Sequence, residues 1–274
     1  NRGDYMKTRI ITAIIGVIAV LGLVAAGGWF LTTAVFIVAA LSLLEYKEML
    51  AHLDIPIYRD AAVGFLACVI GVTGFYSLRI FLALIILTFV GVLCLVPFIK
   101  KQDLHRFIYT VFGILYFGIG FGSLSILRGS GEFAPVGGLS LESGVFFIML
   151  SLAGTWASDT FAFFVGKKWG RHKMAPHISP NKTIEGLLGG MAGTVICCFA
   201  LSGAAGFSMA EGFFLGIFVA IAAPMGDLFE SYMKRVCDVK DSGKLLPGHG
   251  GLMDRFDSLL FVAPVVLGFL CIVR

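Results

Sequence analysis

Residues 80–99 read IFLALIILTFVGVLCLVPFI, without one charged side chain. A helix apolar on every face has no side to show water, but about 20 such residues cross the roughly 30 Å hydrocarbon core of a bilayer. The same character recurs near Arg9–Ala26, Trp29–Leu44, Ala61–Ser77, Phe107–Leu127, Gly144–Val165, Leu187–Gly203, Gly212–Phe229 and Leu259–Val273. Lipid offers no partner for a bare N–H or C=O, so these runs are expected to be helices; they lack the period-two alternation of a membrane β-barrel. Composition agrees: 58% of the residues are apolar and 14% charged, against about 45–50% and about 25% in soluble domains. The expected fold is therefore all-α, a polytopic membrane protein of about nine transmembrane helices with a cytoplasm-facing polar cavity.

Charge orients such a chain. With a cytoplasmic N-terminus and nine spans, all of the 21 Lys and Arg residues except Arg79, Arg128 and Arg274 fall on the inner side. Two basic loops, 166–185 and 230–257, then share the cytoplasmic face of an inner membrane. The stretch Leu43–Leu53 mixes Leu43, Leu44, Tyr46, Met49, Leu50 and Leu53 with Glu45, Lys47, Glu48 and His52, which reads as an interfacial amphipathic continuation of the second helix. No A-x-A cleavage site follows an early apolar run, so the first run is read as a retained span. The six cysteines form no C-x-x-C pair and suggest neither a disulfide framework nor a zinc site. The first five spans are nearly free of charge inside. The chain thus divides into a scaffold region, 1–142, of about five helices and a catalytic region, 143–274, of about four.

A charge inside a span costs about 2.5–3.5 kcal/mol at a helix centre and invites a functional reading. Asp159 lies in the sixth run; Asp227 and Glu230 lie near the inner end of the eighth, just after Pro224. Pro224 removes an N–H and frees a carbonyl near Val219–Ala220, which is tolerated at membrane depth where protein or water covers it. A wet cavity is expected near Pro224–Asp227. Asp227 sits at a helix end where the macrodipole disfavours an anion; it is either a snorkelling or Lys-paired carboxylate, or a metal ligand. Asp254 and Asp257 follow at i, i+3 spacing. A single Asp there would be an N-cap by default, whereas two on one face, with Asp227, can form a hard oxygen site for Mg²⁺, with room for a second cation.

Between these carboxylates run Ser231-Tyr232-Met233-Lys234-Arg235, Lys240-Asp241-Ser242-Gly243-Lys244 and Pro247-Gly248-His249-Gly250-Gly251. Lys and Arg hold phosphates, and glycines let backbone N–H groups approach an anion. Positive-inside topology explains the sign of the bases but not the aspartates and glycines among them. His249 is equally a base, a phosphate donor or a turn residue. The other loop holds Ser179-Pro180-Asn181-Lys182-Thr183-Ile184-Glu185-Gly186. It is either a basic loop touching anionic lipid heads or a triphosphate cradle at a helix N-terminus that Thr183 can cap.

The run Ser231-x-x-Lys234-Arg235, Lys240-Asp241, His249-Gly250-Gly251-x-x-Asp254-Arg255-x-Asp257 resembles the signature of the phosphatidate cytidylyltransferases (CDP-diacylglycerol synthases). Ser179–Gly186, and Asp159-Thr160-x-Ala162 leading to Gly166 and Gly170, resemble further motifs of that family; Ser158 departs from the Asn its members often carry. The resemblance covers about 159–258. It implies transfer of CMP from CTP to phosphatidic acid, giving CDP-diacylglycerol and pyrophosphate, with Mg²⁺ and a second cation such as K⁺. It further implies metal ligation by Asp227, Asp254 and Asp257, with catalytic roles for Lys240, Asp241, His249 and Arg255. Substrate binding falls to Ser179, Lys182, Thr183, Ser231, Lys234, Arg235, Gly250 and Gly251. The implied partners are CTP, phosphatidic acid and the bilayer, not nucleic acid. A homodimer is compatible with the scaffold spans, although no G-x-x-x-G match places an interface.

Two rival functions fit parts of the pattern. A CTP-dependent polyprenol or phytol kinase would be attacked at the γ-phosphorus by an alcohol and would need a general base. A cation transporter would spread its acidic groups through the bilayer depth, whereas here they gather at one face beside basic loops. A non-catalytic scaffold leaves the clustered Asp, His and Gly residues without a role.

Overall fold

In a computed structural model of the chain, described for residues 2–75, 78–129, 133–136, 139–245 and 250–273, nearly all regular structure is helical. Side chains are not described at 2–11, 13, 75, 133–136, 139–143 and 205. The helices are α1 (Arg2–Ala26), α2 (Gly28–Ala51), α3 (Arg59–Gly71), α4 (Leu78–Leu95), α5 (Leu104–Gly129), α6 (Ser143–Trp169), α7 (Ile184–Ser202), α8 (Met209–Val236), α9 (Met253–Phe256) and α10 (Leu259–Val273). Two short antiparallel hairpins interrupt them: β1 (Phe133–Val136) with β2 (Leu139–Glu142), and β3 (Lys173–Ala175) with β4 (Ser179–Thr183).

Among the described residues seven helical segments are long and apolar enough to cross a membrane: Gly28–Ala51, Leu78–Phe98, Lys101–Gly129, Gly144–Trp169, Ile184–Ser202, Met209–Val236 and Met253–Val273. Two of the nine expected runs, the first and the third, are not among these seven. The third run forms a 13-residue α3 followed by a 3₁₀ turn, Val72–Phe75; at 1.5 Å per residue, α3 alone reaches only about 20 Å of a roughly 30 Å core. The first run lies in α1, a helix of 25 residues whose side chains before Ile14 lie, apart from Thr12, outside the described residues.

The chain clusters into two compact units, residues 1–129 with 236–256, and residues 130–235 with 257–274. The segment 236–256 therefore groups with the first half of the sequence.

In the first unit α5 is the hub. Its glycines admit a different neighbour at each turn: Gly113 lies under Tyr46 and Leu43 of α2, Gly118 under Leu66 and Val69 of α3, and Gly122 under Phe81 of α4. Small residues at such seams let helices approach where lipid supplies no hydrophobic drive. Phe117 and Phe121 stack along α5, and Tyr46 meets Phe117 edge-on. Thr32 and Ser125 share a buried hydrogen bond of 2.9 Å between α2 and α5. Arg128 is buried, and its Nε donates to the Val24 carbonyl at 2.6 Å. It satisfies the carbonyls that α1 leaves bare at its C-terminus, where a cation also suits the helix dipole.

In the second unit α6 and α7 pack most closely. A Cβ on Gly186 would stand 2.8 Å from the Ala162 carbonyl, and one on Gly190 2.8 Å from the Ser158 carbonyl. The α7 backbone therefore lies directly on α6. Gly216 of α8 sits against the Val195 backbone of α7. This packing brings the C-terminal half of α6, the N-terminus of α7 and the middle of α8 to one place.

Candidate active site

That place is a cavity of about 460 Å³ within the second unit, inside the range typical of small-molecule sites. Ser158, Asp159, Ala162, Phe163, Gly166 and Lys167 of α6 line it, with Met174, Asn181, Lys182 and Thr183 of the hairpin segment. Gly186 and Leu187 of α7 and Pro224 and Asp227 of α8 complete the wall. The cavity lies where the sequence places it, beside Pro224, and α8 remains helical through that proline. The lining combines apolar side chains (Ala162, Phe163, Met174, Leu187) with two carboxylates and two ammonium groups.

Asp227 pairs with the ammonium of Lys182, and the Ser231 hydroxyl stands 3.4 Å from its other oxygen. The Asp227 carboxylate is therefore paired with a lysine across the cavity lining. Asp257 is brought close by Gly226, the residue before Asp227: a Cβ there would be 2.6 Å from the Asp257 carbonyl and 2.8 Å from Ser258 Cα. Asp227, Asp159 and Lys234 all lie within electrostatic range of the Asp257 carboxylate.

Thr183 caps α7, its Oγ1 accepting from Gly186 N at 3.2 Å. Glu185 ties the hairpin to the same helix end, accepting from Arg171 N at 3.0 Å and meeting His172 Nδ1 at 2.6 Å. Ser179 pairs with Ala175 in the hairpin and is not part of the cavity wall. Ser231, Lys234 and Arg235 belong to the last turns of α8, which runs to Val236, so the expected loop 230–257 begins only after that residue. Lys234 pairs with the buried Glu230 at 2.7 Å, and Arg235 Nε donates to the Ile178 carbonyl at 3.1 Å, fastening α8 to the hairpin. The i, i+4 pair and the absence of a breaker before Asp238, whose φ is 53°, explain the extra helix.

The remaining candidates lie in the first unit. Lys240, Asp241 and Arg255 are exposed; His249 lies outside the described residues. Gly250 has φ of 83°, a conformation that only glycine adopts cheaply. Oδ2 of Asp254 accepts from Gly251 N at 2.9 Å and from Ser242 N and Oγ at 3.1 Å. The carboxylate thus organises its own loop. Burial pushes the Cys237 thiol up, so it stays a protonated small hydrophobe.

One side chain here escaped the sequence reading. Glu45, taken above as part of an interfacial polar face, is buried. Its carboxylate accepts from Leu252 N at 2.7 Å, Met253 N at 2.8 Å and Ser242 Oγ at 3.0 Å. The helix continues as expected, but Lys47 and Glu48 alone of its first three charges face outward.

Among the described residues no three His, Cys, Asp or Glu side chains already stand together as a metal site. The donor chemistry of Asp227 and Asp257, with Asp159 near, still fits a hard cation of the Mg²⁺ type, which takes one or two carboxylates and completes its shell with water and phosphate oxygens.

Comparison with known proteins converges on the same chemistry. The model of the cytidylyltransferase family matches residues 7–273. A phosphatidate cytidylyltransferase of Staphylococcus aureus (strain COL) is 32% identical over 267 residues, covering 95% of this chain and 97% of that one. The enzyme of the same name from Staphylococcus saprophyticus is 33% identical over the same shares, and that from Staphylococcus haemolyticus 31% over 266 residues. With the match running nearly end to end, through both units and every motif residue described above, the chain belongs to the cytidylyltransferase family.

Proposed function

We propose that this chain transfers CMP from CTP to phosphatidic acid, forming CDP-diacylglycerol and pyrophosphate. The observation that carries the reading is the mixed lining of the cavity, which combines Phe163, Met174 and Leu187 with Asp159, Lys167, Lys182 and Asp227. Such a wall suits an amphiphile whose head is a phosphate. Phe163 is also largely exposed, so acyl chains beside it can stay in lipid while the head enters.

In the reaction a phosphate oxygen of the lipid attacks the α-phosphorus of CTP. The bond from that phosphorus to the bridging oxygen breaks, and pyrophosphate leaves with the electron pair. The nucleophile is already an anion near pH 7, because the second pKa of a phosphomonoester is about 6, so no strong general base is needed. The work is positioning and charge neutralisation. Lys182 and Lys167 supply positive charge, Asn181 supplies hydrogen bonds, and the N-terminus of α7 beside Thr183 favours an anion. Asp227 orients the Lys182 ammonium. Mg²⁺, when bound, would neutralise phosphate charge; Asp227 and Asp257 would hold it. Asp254, with one oxygen engaged by three donors of its own loop, is the weaker candidate ligand. The positive-inside bias of the segments bearing Lys167, Lys168, Arg171, Lys173 and Lys182 supports a cytoplasm-facing site in the bacterial plasma membrane.

The test is substrate dependence. Purified protein in phospholipid vesicles should release pyrophosphate only when CTP and phosphatidic acid are both present. Release of CDP with a polyprenol in place of phosphatidic acid would contradict the reading.

A further inference from the structure

Glu45 stands on α2, far in sequence from every motif residue, yet it accepts three hydrogen bonds from the motif-bearing segment, from two backbone amides and one hydroxyl. The segment also packs tightly against it: Cβ atoms on Gly243 and Gly251 would come within 2.5 Å and 2.6 Å of its carboxylate oxygens. Only glycines let the loop close over this group. Leaving a carboxylate buried is costly unless donors surround it, and here the donors come from Leu252, just before α9, from Met253, its first residue, and from Ser242. The same Ser242 hydroxyl lies 3.0 Å from Glu45 Oε2 and 3.1 Å from Asp254 Oδ2. One hydroxyl therefore joins the carboxylate of α2 to the carboxylate of the loop.

We propose that Glu45 is a positioning residue for CMP transfer: its buried carboxylate holds the turn 250–254 and, through Ser242, fixes Asp254. The segment it grips also carries Lys240 and Asp241 and leads within a few residues to Asp257. A scaffold helix thereby sets the geometry of the catalytic loop without touching substrate. The proposal rests on the reaction proposed above.

Glu45→Gln is the discriminating change. The amide has nearly the same shape, but its NH₂ must face either Leu252 N–H or the Met253 and Ser242 donors, so one side of the grip becomes donor against donor. Activity would be measured per folded protein, with hydrogen exchange at Leu252 and Met253 recorded in parallel. Misplacement of reacting groups by about 1 Å can cost about 100-fold in rate. The expected result is a kcat about 100-fold lower, with KM for CTP and phosphatidic acid within about threefold, and faster exchange of both amides. Ser242→Ala, which removes only the joining hydroxyl, should lower kcat by a smaller factor, about tenfold, without loss of folding. It decides the matter if Glu45→Gln does not fold. A Glu45→Gln protein with kcat within twofold of wild type, or activity lost only in step with the folded fraction, would overturn the proposal. So would a Ser242→Ala protein of unchanged kcat. Wild-type protein that exchanges these two amides rapidly would remove the grip itself, whereas wild-type protein that transfers no CMP would remove the proposed reaction and leave the exchange result standing.

Discussion

Lys182 at the end of β4 and Asp227 in the middle of α8 form an ion pair whose side chains are 27% and 28% exposed. It joins two stretches that the sequence keeps well apart and sets a positive and a negative group together on one cavity wall. Such a pair adds little to stability, about 1 kcal/mol at most, so its value lies in what the two groups do.

Lys182→Met should therefore leave folding nearly intact and lower kcat/KM for CTP by about 100-fold or more, the scale of removing one preorganised charge-stabilising donor. Lys182→Arg should recover only part of the loss, because a planar fork does not reproduce a point charge. Steady-state kinetics with CTP varied at saturating phosphatidic acid would check both.

Gly226→Ala should act through packing. The added methyl would meet the backbone at Asp257 and Ser258, which cannot swing aside as a side-chain tip can. Overpacking of this kind costs about 1–3 kcal/mol, and the start of α10 must move away from Asp227. A lower melting temperature together with a kcat reduced about tenfold or more is expected, read by thermal unfolding in detergent and by initial rates.

Arg128→Ala provides the contrast. Arg128 binds the carbonyl end of α1 through Val24 and Ala25. Hydrogen bonds to a charged group contribute about 1.5–3 kcal/mol, so the melting temperature should fall clearly while kcat per folded molecule stays the same. Gly27, where a Cβ would sit 2.8 Å from the Arg128 guanidinium, should tolerate no larger residue for the same reason.

The legible parts of this protein are those with local causes. The charge-free run 80–99 became α4 with its 3₁₀ extension, and the cavity lies at Pro224 because a helix-breaking residue and a carboxylate inside a span together require cover. Thr183 caps α7 as its position before Ile184 suggests. Glu45 was illegible because its donors lie 197 to 208 positions further along the chain, and local periodicity puts it on a polar face with Lys47 and Glu48. Gly226 looked like any glycine in a span; its meaning depends on which backbone lies opposite. Ser179 reads as a donor in a basic loop, but hairpin pairing with Ala175 keeps it out of the wall. The end of α8 outran the expected loop boundary through the Glu230–Lys234 pair, a contact that needs the helix already formed.

Removal of divalent metal with EDTA should abolish transfer, and Mg²⁺ should restore it. Asp257→Asn should raise the Mg²⁺ concentration needed for half-maximal rate by about tenfold or more, one donor charge having been lost from a site of few carboxylates. Rate measured against free Mg²⁺ would show this, and an unchanged Mg²⁺ requirement would remove Asp257 from the ligand set.

The central claim is which phosphorus of CTP the lipid attacks, and a double-label experiment reads it directly. Purified protein in vesicles containing phosphatidic acid would be given CTP labelled at the α- or the γ-phosphorus, with Mg²⁺, and the lipid phase chromatographed. The account predicts that α-label enters a lipid migrating as CDP-diacylglycerol while γ-label leaves as pyrophosphate. γ-Label in the lipid, or neither label there, would contradict it.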